Sequence, residues 1–400
     1  IGCKRRFEEN EVLRLGGNEL AEADFKKIAS AGYVSAVYQK PDLTKEQAFE
    51  SLYFMDVHMS EEELKNAVEK LNALSRRICS SHPAPEEAMR WLDEVRSSIP
   101  RYPLPIYLLG NFLGAFGFAA LFGCGPVDMA VSGLCGILGG LLNRFMDKMK
   151  VNPFFKTIFS AFLMALAAYG LNACGLAQNV NSVVIGALMI LVPGLLFTNA
   201  MRDVIYGDTN SGITRFVQVM LISMGMALGT AVAWNTASLL WSAPRNLEEL
   251  SNPLLVTTLG ALIGCIGFSI LFNIHGPGGL LCALGGVVTW VVFDLIVKFS
   301  ADEMFAYFVG AVLASVYAEV MARLRKYPAI SYLVVSLFPL IPGAGIYYTM
   351  YYAVHGNMEQ FAAQGTHTAA IVGVIAVGVL LVSTMVRLSY AWKETIAKKK

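Results

Sequence analysis

Long apolar stretches fill the chain from about residue 101 onward, whereas polar positions are concentrated before it. Ten of these stretches are long enough to cross a hydrocarbon core of roughly 30 Å as helices. They lie at about 104–124, 127–146, 153–173, 180–200, 215–241, 253–273, 278–298, 303–323, 328–350 and 366–387. The pattern predicts an all-α polytopic membrane protein with ten transmembrane helices.

The first hundred residues have the shorter amphipathic pattern of a helical domain outside the membrane. Ser60 and Glu63 form a capping box, and Leu64, Val68 and Leu71 follow at helical spacing. A further helix is predicted after the segment "SHPAP". Residues 1–100 are therefore interpreted as a small helical cytoplasmic domain without chemistry of its own.

Composition supports this division. The chain of 400 residues is 55% apolar and only 15% charged, and its mean hydropathy is +0.53, which is high for a water-soluble protein. Residues 1–100 contain 14 Lys and Arg and 18 Asp and Glu, which is 32 of the 61 charged residues. The net charge of +1 argues against a nucleic-acid partner, because no basic stripe is present to neutralise phosphates.

Basic residues in the connecting segments predict the orientation in the membrane. If the first domain is cytoplasmic, fourteen Lys and Arg residues of the membrane part lie on the inside, and only Arg245 and Lys298 lie outside. The positive-inside rule then places both termini in the cytoplasm.

The second half of the membrane part repeats the first. "LVPGLLFTNAMRDVIYG", which ends at Gly207, matches "LIPGAGIYYTMYYAVHG", which ends at Gly356, 149 positions later. We therefore predict one five-helix repeat at 101–245 and a second, with a basic C-terminal tail, at 246–400. Because five is odd, the two repeats cross the membrane in opposite senses, as in many secondary transporters.

Both copies carry a Pro-Gly pair inside an apolar span: Pro193 with Gly194, and Pro342 with Gly343. Proline removes a backbone donor, and glycine lets the chain leave helical geometry. The freed backbone groups need protein, water or a ligand in place of lipid. We expect the two breaks to meet and to line a polar, hydrated substrate site.

Polar side chains follow each break on one helical face. The first copy has Asn199, Arg202, Asp203 and Tyr206, and the positions 149 residues later are Tyr348, Tyr351, Tyr352 and His355. An ion pair, amide and hydroxyl groups suit a small zwitterion or carboxylate, with Arg202 as the carboxylate ligand. In the alternative interpretation, Arg202 only anchors the cytoplasmic end of its span.

Carboxylates within the spans are candidates for proton coupling, because a charge is costly in the bilayer. The candidates are Asp128, Asp203 and Asp294. Asp294 has Lys298 four residues later, a spacing that also favours a structural ion pair, as for Glu319. Asp128 has no basic neighbour in the sequence and is the preferred proton carrier.

No pattern of an enzyme or a metal site accompanies these residues. The seven cysteines show neither CxxC pairs nor metal-ligand spacing, and the sequence has no HExxH and no GxSxG motif. We predict that the chain has no catalytic residues, binds no metal and uses no cofactor.

Several segments resemble the bacterial threonine/serine exporter family. The likeness covers about residues 60–390, and its segments are "LNALSRRI", "PEEAMRWLDEV", "FAALFGCGPVD", "LVPGLLFTNAMRDVIYGD" and "FPLIPG". The family's motifs fall on Asp128, Pro193, Gly194, Asn199, Asp203, Gly207, Pro342 and Gly343.

This resemblance implies a protein of the bacterial plasma membrane with ten spans, which are divided between two related halves. It also implies export of threonine and serine by proton antiport, with small-molecule substrate, protons and lipid as the partners. A related branch of separate half-chains is implicated in export of C4 dicarboxylates such as succinate, which is the alternative function. Homo-oligomerisation stays open.

Overall fold

The structure, a computed structural model, describes residues 13–15 and 18–20, nine positions between 74 and 94, and residues 102–397 except 206–207, 242–251, 301 and 326–328. The chain forms two compact units, Ile1–Arg101 and Tyr102–Lys400.

The first unit contains a β-hairpin that the helical prediction missed. Strand β1 (Leu13–Leu15) pairs antiparallel with β2 (Asn18–Leu20), and Leu15 is opposite Asn18. The two positions between the strands are glycines in the sequence, which is a preferred composition for two-residue hairpin loops. The described positions from 74 to 94 are helical, and the Arg77 guanidinium lies 3.8 Å from the Trp91 ring centroid. The capping box at Ser60 and Glu63 lies outside the described residues.

Six helices are described in the first half of the second unit. They are α1 (Leu104–Leu121), α2 (Pro126–Lys148), α3 (Pro153–Ala173), α4 (Val180–Leu188), α5 (Gly194–Ile205) and α6 (Thr209–Leu240). Prolines start α2 and α3 in the first turn, where a missing N–H has no cost. The Asn152 side chain also caps α3 by accepting a hydrogen bond of 2.9 Å from the Phe154 backbone N–H.

The second half repeats this order of elements. Its helices are α7 (Leu254–Leu271), α8 (Pro277–Ser300), α9 (Glu303–Arg325), α10 (Ala329–Leu337), α11 (Gly343–Val354) and α12 (Met358–Ala397), with a 3₁₀ turn at Phe338–Leu340. The first residues of corresponding helices are 104 and 254, 126 and 277, 153 and 303, 180 and 329, 194 and 343, and 209 and 358. The offset thus stays between 149 and 151 residues through all six pairs.

The prediction of a multi-pass helical membrane protein is confirmed. Within the described residues, eight helices are long and apolar enough to span a bilayer, or nine if α10 and α11 count as one bent span. The predicted number of ten spans is not reached by this measure, and predicted spans 180–200 and 328–350 are each divided into two short helices at the expected Pro-Gly breaks. The division comes from the Pro-Gly pairs, since proline cannot continue the hydrogen-bond ladder of the preceding helix.

Both breaks have the same construction. In the first, α4 ends at Leu188 and α5 begins at Gly194, directly after Pro193. In the second, Pro342 is the N-cap residue of α11, and the chain bends by 57° between α10 and α11. Each short helix is therefore free to take its own direction.

Helices α1 and α7, which occupy the same position in the two halves, pack tightly against each other through glycines. A Cβ atom on Gly117 would overlap the backbone of Gly264, and one on Gly267 would overlap the backbone of Gly114. Residues 114 and 264, like 117 and 267, are 150 positions apart, so each contact is the counterpart of the other. Gly114 of α1 contacts Gly267 of α7, and Gly117, one turn later in α1, contacts Gly264, one turn earlier in α7. The two helices therefore run antiparallel. This is the reciprocal contact pattern of a two-fold axis.

Aromatic rings fill the space beside this contact. The rings of Phe268 and Phe338 are stacked with centroids 3.9 Å apart, and Phe118 meets Phe268 edge-on at 5.4 Å. All three side chains are buried. The core therefore joins α1, α7 and the second break, so it is shared by both halves.

Candidate functional site

The two Pro-Gly breaks lie against each other. A Cβ atom on Gly343 would be 2.8 Å from the Met189 sulfur and 3.1 Å from a methyl carbon of Val192, the residue before Pro193. Phe118, Phe338 and Ile341 complete this contact, which we call the break junction.

The break junction is dry. It encloses a gap of about 10 Å³ between apolar side chains, and these offer none of the two to four polar partners that a buried water needs. The expectation of a polar chamber at the breaks is therefore wrong at this point. The physical reason is that the residues just before each Pro-Gly pair, Val192 and Ile341, carry no polar group.

A polar cavity of about 450 Å³ lies next to the break junction. Its walls come from both halves and consist of Leu121, Phe122, Gly123, Ser182, Ile185, Asn252, Thr257, Trp290, Asp294, Ala344 and Tyr348. Phe122 is one turn beyond Phe118 on the same chain segment, and Ala344 directly follows Gly343. The break junction and the cavity wall are therefore built from neighbouring residues of the chain.

Two of the polar wall residues have structural hydrogen bonds. The Asn252 amide donates to the carbonyls of Ala120 (2.9 Å) and Cys124 (3.1 Å), so it satisfies the end of α1. The Thr257 hydroxyl donates to the Leu254 carbonyl at 3.1 Å. The Asn252 contacts hold the segment before α7 against the end of α1 at the cavity wall, whereas the Thr257 bond lies within α7.

Helix α8 contributes the charged side of the cavity. Trp290, Asp294 and Lys298 follow one another at i, i+4 and i+8 and so share one helical face. Asp294 Oδ2 lies 2.6 Å from Lys298 Nζ, and the exposed fractions of the two side chains are 20% and 52%. The ion pair predicted from the spacing is thus present, at the rim of a cavity rather than on a plain surface.

The tyrosines of α11 are only partly brought to this cavity. Tyr348 lines it, whereas Tyr351 and Tyr352 do not. The Tyr351 ring meets the Tyr348 ring edge-on at 6.3 Å, and the Tyr352 ring stacks on Tyr348 at 6.3 Å. Both therefore support Tyr348 from outside the cavity wall.

Asp128 has structural contacts. Its buried carboxylate accepts hydrogen bonds from the backbone N–H groups of Gln178 (2.7 Å) and Asn179 (3.1 Å), directly before α4 begins. It also lies in the first turn of α2, where the helix dipole favours a negative charge. Asp128 does not line the cavity, and these contacts are those of an anchor for α4.

The residues after the first break also differ from the expected arrangement. Asp203 forms its ion pair with Arg215 of α6, because α5 and α6 pack closely where Gly212 meets Val204. The side chain of Arg202 lies outside the described residues. Asn199 is half-buried and does not line the cavity.

Sequence reasoning missed Ser182, Thr257 and Trp290 as cavity residues. Trp290 has the clearest signal, because it lies four residues before Asp294 within "TWVVFD" and must share its helical face. Ser182 and Thr257 have no such signal, since small hydroxyl residues are common inside transmembrane helices.

Two family models match the chain, and together they include both breaks and every cavity wall residue except Asn252. The model "Putative threonine/serine exporter" matches residues 63–237, and the model "Threonine/Serine exporter, ThrE" matches residues 257–385. The chain belongs to the threonine/serine exporter family. The interval between the two matched regions includes the connection from α6 to α7, where the second half of the repeat begins.

A curated relative agrees with this assignment. The protein named "Threonine/serine exporter" from Corynebacterium glutamicum is 22% identical over 324 residues, which cover 78% of this chain. The aligned region spans 65% of that relative's length. No solved structure matches the chain.

Membership in a transporter family is consistent with the interpretation that the chain is not an enzyme. The matches lend no support to the dicarboxylate alternative.

Proposed function

We propose that this protein exports threonine and serine from a bacterial cell by proton antiport, using the polar cavity as its substrate site. The observation that carries the proposal is a cavity with a carboxylate, Asp294, whose walls come from both halves of the duplicated membrane unit. Membrane-midplane sites between repeats, beside broken helices, are typical of secondary transporters.

The reciprocal contact of α1 with α7 supports two inverted repeats, residues 101–245 and 246–400. With both termini in the cytoplasm, the cavity lies on the outer side, together with Lys298. The break junction then separates it from the cytoplasm. The described form is thus the outward-facing one, and Pro193, Gly194, Pro342 and Gly343 are the positions about which the short helices move.

In the inward-facing form, the two repeats exchange their conformations. Asn199 is the counterpart of Tyr348, 149 positions earlier, so it takes the corresponding place in the cytoplasmic cavity. Arg202 and Asp203 then lie at that cavity's inner end, where an amino acid enters. Tyr351 and Tyr352 keep Tyr348 in place during the exchange.

Asp294 couples the two fluxes because its carboxylate holds either a proton or the substrate's ammonium group. A proton that arrives from outside neutralises the carboxylate and releases the ammonium, so the two ligands exclude each other. Asp294 also disfavours dicarboxylates, since like charges repel strongly at partly buried sites. The carboxylates of Asp128 and Asp203 instead have partners within the protein, namely two backbone N–H groups and Arg215.

The direct test is transport by the purified full-length chain in liposomes. We expect labelled threonine and serine to accumulate against their gradients when a proton gradient is imposed, and a protonophore to abolish this accumulation. Succinate should not compete. Folded protein that moves neither amino acid would contradict the proposal.

The variant Asp294→Asn tests the coupling role. It should lose proton-driven accumulation by about tenfold or more, because an amide cannot take up the proton. The matched control is Glu319→Gln, which removes a similar i, i+4 pair with Arg323 outside the cavity and should transport normally. Unchanged accumulation by Asp294→Asn would assign the coupling to another residue.

A further inference from the structure

Resting on the proposed function, we infer that the cavity recognises the two charged groups of an α-amino acid separately. The substrate inserts between Asp294 and Lys298, its ammonium pairs with Asp294, and its carboxylate accepts hydrogen bonds from Trp290 Nε1 and Lys298. The site is therefore specific for zwitterionic α-amino acids.

The first observation is an unused donor. Trp290 Nε1 is buried and has no hydrogen-bond partner among the described residues, although the indole belongs to the cavity wall. A buried N–H without a partner is costly and uncommon in native proteins. An acceptor brought by a ligand removes that cost, and a carboxylate is the strongest acceptor that an amino acid offers.

The second observation is the way in which the indole is fixed. The Trp290 ring packs 5.6 Å from the Phe293 ring, which in turn packs 4.7 Å from Tyr307 of α9. A donor held by packing on two helices loses little freedom when it binds, which favours affinity.

The third observation is the ion pair itself. Asp294 and Lys298 are close, yet Asp294 Oδ2 makes no aligned hydrogen bond, and Lys298 is half exposed at the rim. A bound zwitterion replaces the Asp294–Lys298 ion pair by two new pairs, one between its ammonium and Asp294 and one between its carboxylate and Lys298. The net charge of the site does not change. A dicarboxylate or a simple amine cannot satisfy both partners in this way.

Binding of three related ligands to the full-length protein in lipid nanodiscs tests this inference. The ligands are threonine, threoninol, which lacks the carboxylate, and 3-hydroxybutyrate, which lacks the ammonium. Trp290→Phe keeps an aromatic ring and removes the N–H group. It should weaken threonine binding by about tenfold and leave threoninol binding unchanged.

Lys298→Met provides a second and independent variant, since its exposed position tolerates the change. It should weaken threonine binding but strengthen threoninol binding, because Asp294 is then left without its internal partner. Trp234→Phe, which removes the same N–H group from an exposed ring outside the cavity, is the matched control and should bind both ligands normally.

The outcomes separate this inference from the proposed function. Equal loss of threonine and threoninol binding in Trp290→Phe, or no loss of either, overturns the carboxylate contact while export of threonine stands. Strong binding of 3-hydroxybutyrate by the wild type overturns the need for the ammonium group. If the folded wild type neither binds nor transports threonine, both proposals are wrong.

Discussion

At the scale of single residues, the three aspartates predicted as candidates for proton coupling have three different environments. Asp128 accepts two backbone hydrogen bonds, Asp203 pairs with Arg215 of the next helix, and Asp294 lies at a cavity with Lys298. All three are aspartates, so the residue type does not decide which carboxylate is available to a ligand. The groups that the fold places beside each carboxylate decide it.

Asp128→Asn should lower the free energy of unfolding by about 1–3 kcal/mol, because an amide can accept only one of the two backbone N–H groups. Thermal unfolding in detergent measures this loss, and transport per folded molecule should be retained. Asp147→Asn is the control, since it removes only an exposed pair with Lys156 and should cost at most about 1 kcal/mol.

If Asp128→Asn kept its stability and lost coupled transport, the sequence-based interpretation of Asp128 as the proton carrier would be correct. A variant as stable as the wild type that exchanges threonine but no longer accumulates it would identify Asp128 as the proton carrier.

At the scale of helices, the sequence was most informative where local chemistry decides the outcome. The ends of α1 and the start of α2 lie within about four residues of prediction, and both Pro-Gly breaks are present. The long helices α6 and α12 begin earlier than predicted, at Thr209 and Met358. Polar residues start these helices, so a window of apolar residues does not detect their first turns.

The glycine contact between α1 and α7 gives a prediction at this scale. Gly117→Ala and Gly267→Ala should each destabilise the protein by about 1–3 kcal/mol, because the new methyl group meets backbone and the helices must separate. The two losses should be similar, since the contacts are counterparts. Denaturation of the purified variants in the same detergent compares them.

Gly373→Ala on α12 is the control for these two variants. A Cβ atom there meets nothing within 4 Å, so alanine should be neutral or stabilising by up to about 1 kcal/mol. If Gly117→Ala behaves like this control, the close contact of the two helices is wrong.

At the scale of the whole membrane unit, the two halves differ in packing, because a cavity is open at one pair of helix ends and the equivalent pair is closed by side chains. The cavity lies beside the end of α1 and the start of α7, whereas the equivalent place at the other ends is filled. There the Tyr102 hydroxyl donates to the Ile274 carbonyl at 3.1 Å, and the Tyr102 ring stacks on His275 at 4.2 Å. This asymmetry between equivalent ends is what an alternating-access carrier requires.

Thiol labelling tests the orientation of this form. In a variant without the native cysteines, Thr257→Cys in the cavity should react with a membrane-impermeant maleimide added outside the cell. Tyr107→Cys, at the position 150 residues earlier, should not react. The reverse pattern would show that the cavity faces the cytoplasm and that the predicted topology is inverted.

The sequence alone determined the membrane class, the two proline-opened spans and the duplicated order of elements. These features depend on local hydropathy, on the missing N–H of proline and on repeated residues, all of which can be read along the chain. The sequence also led us to expect that the two breaks meet, but only the tertiary structure decided that their contact is apolar and that Asp128 anchors α4. The tertiary structure also placed Trp290 and Asp294 in one cavity with Tyr348. These properties arise from contacts between distant residues, as between Asp128 and Gln178, 50 positions apart, and no local pattern encodes them.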